Sequence, residues 1–309
     1  MAPRTGHGHG HGHGSDLADH RGRLGVVLAI TLTVLVAEVV GAVISGSLAL
    51  LADAGHMLTD VAGLVMAFIA SALVRLPVTD ERTWGFRRAE VLAAAAQAAV
   101  LLAVGVYILV EAVQRLFDPQ EVAAGIMLVL GVVGLVGNLV GLVVLAGGRG
   151  ADLNMRAAFL EVLNDALGSV AVLVAAVVIA TTGWLQADAV ASLVIGALII
   201  PRTVRLLSES VNVLLESTPK NLDLSEVRER LVAHAHVHDV HDLHATQVAT
   251  GLPVITAHVV VDDSCFLDGH LGPMLDELQA CLHDDFDIEH STIQFEAASH
   301  SEHEHETHP

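Results

Sequence analysis

Ser47-Leu-Ala-Leu-Leu-Ala-Asp53-Ala-Gly-His56-Met-Leu-Thr-Asp60 sets two carboxylates and an imidazole inside an apolar run from Leu48 to Ala70. Residues four apart share one face of a helix, so His56 and Asp60 point the same way, with Asp53 one turn earlier. A second stretch, Glu161-Val-Leu-Asn-Asp165, repeats the four-residue spacing inside another apolar run. A carboxylate at the centre of a membrane helix costs about 2.5–3.5 kcal/mol on the lenient insertion scale, so three carboxylates and an imidazole would cost roughly 10 kcal/mol uncompensated. No Lys or Arg is expected at comparable depth, which leaves a bound dication as the compensating charge. One imidazole nitrogen and three carboxylate oxygens suit a tetrahedral zinc site closed between two helices. The alternative is an interhelical hydrogen-bond cluster with protonated carboxyls, which leaves the matched spacings unexplained.

The rest of the chain supplies the membrane. Of its 309 residues 53% are hydrophobic and 16% charged, and the mean hydropathy of +0.61 is too high for an ordinary soluble domain. A bilayer core needs roughly 20 apolar residues per helix. Six stretches meet or approach that length: 24–45, 48–74, 89–113, 122–146, 157–181 and 184–201. With the N-terminus placed in the cytoplasm, Arg21, Arg23, Arg75, Arg82, Arg87, Arg88, Arg149, Arg156, Arg202 and Arg205 flank the inner side and only Arg115 the outer. That asymmetry predicts an integral protein of the cell membrane with both termini cytoplasmic.

The expected organisation is a His-rich leader (1–23), a six-helix all-α transmembrane domain (24–205), a linker (206–218), a cytoplasmic domain (219–297) and a His/Glu-rich tail (298–309). The leader alternates His and Gly from Gly6 to Gly14, as a native metal-collecting tract or a purification tag would, and has no core-forming content. The cytoplasmic part reads as a helix (223–235), a hairpin turning at Gly251-Leu252-Pro253, a helix (270–283) and a strand (291–296), a small α+β unit of ferredoxin-like order. The connection after the sixth span reads as a helical extension ended by Thr218-Pro219. From Pro219 onward three basic residues face eighteen acidic ones, so this part holds fifteen of the twenty excess negative charges. Such a domain attracts cations and repels nucleic acid and anionic lipid. Cys265 and Cys281 both lie here, in a reducing compartment, and read as structural thiols.

These residues carry a resemblance to the cation diffusion facilitators. The Ser47–Asp60 stretch is similar to their second-helix signature, and Thr83-Trp-Gly-Phe-Arg-Arg-Ala-Glu90 resembles the segment entering their third helix. Asn154-Met-Arg-Ala-Ala-Phe-Leu-Glu161-Val-Leu-Asn-Asp165-Ala-Leu-Gly-Ser169 looks like their fifth helix, and Ser210-Val-Asn-Val-Leu-Leu-Glu-Ser-Thr-Pro219 like the exit from their sixth. The resemblance spans about residues 20–297. It implies a homodimeric metal/proton antiporter, a secondary transporter and not an enzyme, with His56, Asp60, Glu161 and Asp165 as the transport site. It also implies regulatory metal at His241, His258 and Glu296, with His270 joining from the second helix of the cytoplasmic domain. His234, His236, His238 and His244 lie nearby in sequence.

Two departures stand out. The zinc-transporting branch usually carries His where this chain has Glu161, and a third carboxylate favours oxygen-seeking metals such as manganese, while His56 keeps zinc, cobalt and cadmium in contention. The loop Gly147–Asp152 is short where many relatives carry histidines. Zn2+ is the expected cargo and a candidate regulatory ion. Protons compete with it because coordination requires deprotonated ligands. No phosphate-binding loop is present to suggest ATP drive. An intramembrane metalloenzyme is a second reading, which lacks a His-Glu-x-x-His or a paired nucleophile, and a metal sensor that does not transport is a third. Asp53 reads as an accessory residue, a proton relay or a vestibule residue, and not as a ligand. Glu38, Glu90, Glu111, Asn138, Asn164 and Asp188 read as polar residues near helix ends or bonded between helices.

Overall fold

The computed structural model describes residues 13–146 and 153–301; the His-Gly leader up to residue 12, the loop 147–152 and the tail from 302 lie outside the described residues. Two compact units make up the chain, Met1–Ala62 with Ala99–Val204, and Gly63–Ala98 with Arg205–Pro309.

Six long helices come first: α1 (His13–Ser45), α2 (Leu48–Val74), α3 (Ala89–Phe117), α4 (Ala124–Ala146), α5 (Leu153–Thr182) and α6 (Gln186–Leu214). Among the described residues, five stretches are long and apolar enough to cross a membrane: α2, α3, α4, Phe159–Thr182 of α5, and α6. Within α1 the apolar part is the shorter helix Ala29–Ser45. Large side chains such as Val43, Val143 and Val174 are exposed on these helices, as lipid-facing residues are.

What faces inward is small. The buried face of α4 is Met127, Gly131, Gly134, Asn138, Gly141 and Leu145, spaced three and four apart, and α4 packs against α5 and α1 along it. Small residues let membrane helices approach closely, so dispersion contacts replace the hydrophobic drive that lipid cannot supply. The shared core of this unit includes Leu48, Leu50, Ile108, Met127, Val172, Ala176 and Ile195.

Asp188, in the first turn of α6, is buried against the start of α2. Its carboxylate accepts from Ser47 Oγ at 2.5 Å, Leu48 N at 2.7 Å and Ala49 N at 3.2 Å. It thereby caps α2 from another helix, satisfying backbone donors that a helix N-terminus leaves open. Arg115 lies 3.9 Å from the same carboxylate, pairs with Glu111 at 3.0 Å and donates to Gly46 O at 2.7 Å.

Helix α6 runs through Pro201 and stops earlier than Thr218-Pro219 predicts. Glu216 takes a left-handed conformation (φ 59°), and Ser217 N bonds back to Asn212 O at 3.0 Å while Glu216 N bonds to Val213 O at 3.2 Å. That pair of bonds closes a helix end before the proline is reached.

The C-terminal part follows as α7 (Leu224–Val232), β1 (Val237–Ala249), β2 (Leu252–Val261), the short α8 (Cys265–Asp268), α9 (Leu271–Phe286), β3 (His290–Ala297) and the short α10 (Ala298–Ser301). Asp223 caps α7 by accepting from Ser225 N at 2.8 Å. Strand order is β1-β2-β3, with β1 and β2 antiparallel and β2 and β3 parallel through the α9 crossover. This α-β-β-α-β order is ferredoxin-like with a three-stranded sheet. Val227, Leu231, Val240, Ile255, Val259, Leu278 and Leu282 form its core, with Cys265 buried among them; both cysteines are free thiols.

Candidate metal sites

Helix periodicity lines up two polar stripes in the first unit. Asp53 and His56 share a face of α2, while Glu161, Asp165 and Ser169 recur every four residues on α5. The stripes meet. His56 Nε2 lies 3.6 Å from Asp165 Oδ1, and both side chains are buried, with residue exposures of 7% and 5%. One turn away, Ser169 Oγ donates to Asp53 Oδ2 at 3.5 Å and accepts from Asn138 Nδ2 of α4 at 3.2 Å. Glu38 of α1 is buried within electrostatic reach of Asp53 and Asp165. Two glycines make the room: a Cβ on Gly168 would stand 2.5 Å from Asp53 Oδ1, and one on Gly134 2.5 Å from Glu38 Oε1. Asp53 is therefore enclosed between helices, not exposed in a vestibule.

The remaining two expected ligands differ. Asp60 lies on α2 one turn after His56, and its side chain is outside the described residues. Glu161 has a basic partner, contrary to the expectation that none lies near. Arg202 Nη2 donates to Glu161 Oε1 at 3.0 Å, with side-chain exposures of 54% and 33%. The end of the sixth apolar run placed Arg202 at the rim, but α6 continues beyond Pro201 and carries the guanidinium alongside the third turn of α5.

A second cluster forms in the C-terminal part. His241 and His258 are register partners across β1 and β2, and their rings lie 5.2 Å apart. Glu296 of β3 is buried between them, with Oε2 3.1 Å from His241 Nε2 and Oε1 2.8 Å from His258 Nδ1, and Gln294 donates to it at 2.7 Å. One ligand atom from each of the three lies within 4.8 Å of the others. Two imidazoles and a carboxylate are a zinc donor set with room for a fourth ligand.

His270 does not join them. It precedes α9 beside the start of β1, where its Nδ1 contacts Asp268 at 2.7 Å and its ring stacks 5.8 Å from His236. His236 and His238 share the Asp262 carboxylate at 2.8 and 2.6 Å, and these contacts hold Asp262 below the usual carboxylate range. His244 pairs with Asp242 at 2.9 Å. Sequence reasoning understated Ser169, whose position four residues after Asp165 was a usable signal.

The comparisons with known proteins agree with this layout. The family profile described as "Cation efflux transmembrane domain" matches residues 24–215, and "Cation efflux protein, cytoplasmic domain" matches 219–298. The chain is 43% identical over 284 residues to the metal cation efflux system protein CzcD of Cupriavidus metallidurans, covering 91% of this chain and 89% of that protein. It is 41% identical over 276 residues to the zinc transporter ZitB of Escherichia coli (89% and 87%). It is 35% identical over 272 residues to a cadmium, cobalt and zinc/H(+)-K(+) antiporter of Bacillus subtilis (86% of each). A structure described as the metal-bound C-terminal domain of CzcD is 39% identical, covers 24% of this chain and 99% of its own, and has a TM-score of 0.22. With both halves matched in order and relatives aligned over most of their length, the chain is an integral membrane transporter that belongs to the cation efflux family.

Proposed function

We propose that this protein exports a divalent metal cation, zinc foremost, from the cytoplasm across the cell membrane in exchange for protons. The observation that carries the reading is the buried approach of His56 to Asp165 between α2 and α5, inside helices with a lipid-facing exterior. His56, Asp60, Glu161 and Asp165 are the proposed ligands, and Asp53 and Glu38 are buried beside them. Imidazole nitrogen with carboxylate oxygens favours zinc and its neighbours over alkaline-earth ions. Protons and metal compete for the same lone pairs, so a proton gradient can drive release. Names of similar proteins support the cargo: zinc for ZitB, and cadmium, cobalt and zinc with proton exchange for the Bacillus protein.

The Arg distribution supports cytoplasmic termini. The match to the family's cytoplasmic domain supports a homodimer, and His241, His258 and Glu296 would hold a regulatory zinc ion there. Bound at an acidic domain, a dication would relieve charge repulsion between two copies.

Reconstituted vesicles test the proposal. An imposed pH gradient should drive zinc flux in wild type and none in Asp165→Ala, with cobalt, cadmium and manganese ranked in the same assay. Zinc flux indifferent to collapse of the gradient would remove the exchange mechanism. Absence of flux, alongside zinc binding in the cytoplasmic part, would favour a sensor.

A further inference from the structure

Among the described residues, Glu161 is a proposed transport ligand that holds a cation of the protein's own. Arg202 reaches it at 3.0 Å, and its charge is also felt at His56. A guanidinium stays protonated at any physiological pH, so only movement of the side chain releases Glu161. Movement is open to it: Arg202 is half exposed, and the preceding Pro201 removes one helical N–H donor just before it.

We propose that Arg202 is a tethered competitor for the transported metal. In the empty site it neutralises Glu161, and a dication must displace it before Glu161 can serve as a ligand. Arg202 thereby sets both affinity and selectivity. With the pair closed, the three carboxylates of the ligand set present a net charge of −2 instead of −3, which lowers the attraction for hard, oxygen-seeking ions such as Mn2+ more than for Zn2+, which His56 also binds. The proposal rests on Glu161 being a ligand, as proposed above.

The test is a double-mutant cycle on the full-length protein in vesicles, reading KM and kcat for zinc and inhibition by manganese. An exposed ion pair shifts an equilibrium by up to about fivefold. Arg202→Gln should therefore lower the zinc KM about threefold to fivefold and strengthen manganese inhibition by more than that. Arg202→Lys, which keeps the charge, should stay close to wild type in both readings. In an Glu161→Gln background, Arg202→Gln should change neither. If Glu161→Gln impairs zinc transport while Arg202→Gln leaves KM and manganese inhibition unchanged, the competitor role is overturned and the ligand role stands. An effect of Arg202→Gln that persists in the Glu161→Gln background also overturns it. Should Glu161→Gln match wild type in KM and selectivity, the ligand role of Glu161 fails and the competitor role with it.

Discussion

Glu296→Ala tests the proposed metal site of the C-terminal part. In the folded protein the Glu296 carboxylate is buried between His241 and His258, and its removal takes away one of three converging ligands. Zinc that binds only the folded state stabilises it by about 2.7 kcal/mol at a hundred times its Kd. For a unit of roughly 100 residues, 1 kcal/mol moves the midpoint by about 4–8 °C, so zinc should raise Tm by about 10–20 °C. A hundredfold loss of affinity in Glu296→Ala would leave zinc near its Kd, where the gain falls to about 0.4 kcal/mol, or about 2–3 °C. The apo variant should itself be weaker by about 1 kcal/mol for each lost contact to a half-exposed imidazole. The assay is thermal unfolding of residues 208–298, followed by circular dichroism with zinc or with a chelator. Ending the segment there keeps the tail histidines His300, His303, His305 and His308 out of the measurement. A zinc shift as large in Glu296→Ala as in wild type would refute the site.

Three other outcomes follow from the helical unit. Asp60→Ala and Asp165→Ala should each abolish zinc flux in vesicles while size-exclusion chromatography shows folded protein; retained flux in either would sink the four-ligand site. Asp188→Ala strips the acceptor from Ser47, Leu48 and Ala49 and should cost about 3 kcal/mol or more, seen as a lowered unfolding temperature in detergent, with Asp188→Asn intermediate. An unchanged unfolding temperature would show that α2 needs no cap from α6. Gly168→Ala drives a methyl group against Asp53 and should cut flux several-fold, whereas Gly125→Ala, which has open space, should not; equal flux in both would show that Asp53 tolerates displacement.

The elements that the sequence made legible are those set by local periodicity. His56, Asp165 and the α2 and α5 stripes follow from a four-residue repeat, and the hairpin follows from two apolar runs around Gly251, which takes φ 72°. Partnerships across long separations were not legible. Arg202 meets Glu161 across 41 positions and Asp188 reaches Ser47 across 141, and no pattern of hydropathy encodes either. His270 is a related case: the family resemblance implied that it joins the regulatory cluster, but the sheet register sets His241 opposite His258, and His236 sits beside His270 at the strand's start.

The Asp188 cap also fixes where α2 and α6 can pivot. It fastens the two helices at the ends where they begin, so a relative tilt of one against the other turns about that point as about a fulcrum. At 1.5 Å per residue, His56 lies about 12 Å from Leu48, and Arg202 about 21 Å from Asp188. A tilt of about 10° would carry His56 by about 2 Å and Arg202 by about 4 Å, by the same helical rise. Lever arm would thus sort the polar groups under such a tilt: those nearest the pin would keep their spacing, while Arg202, 3.0 Å from Glu161 at the far end, would travel furthest.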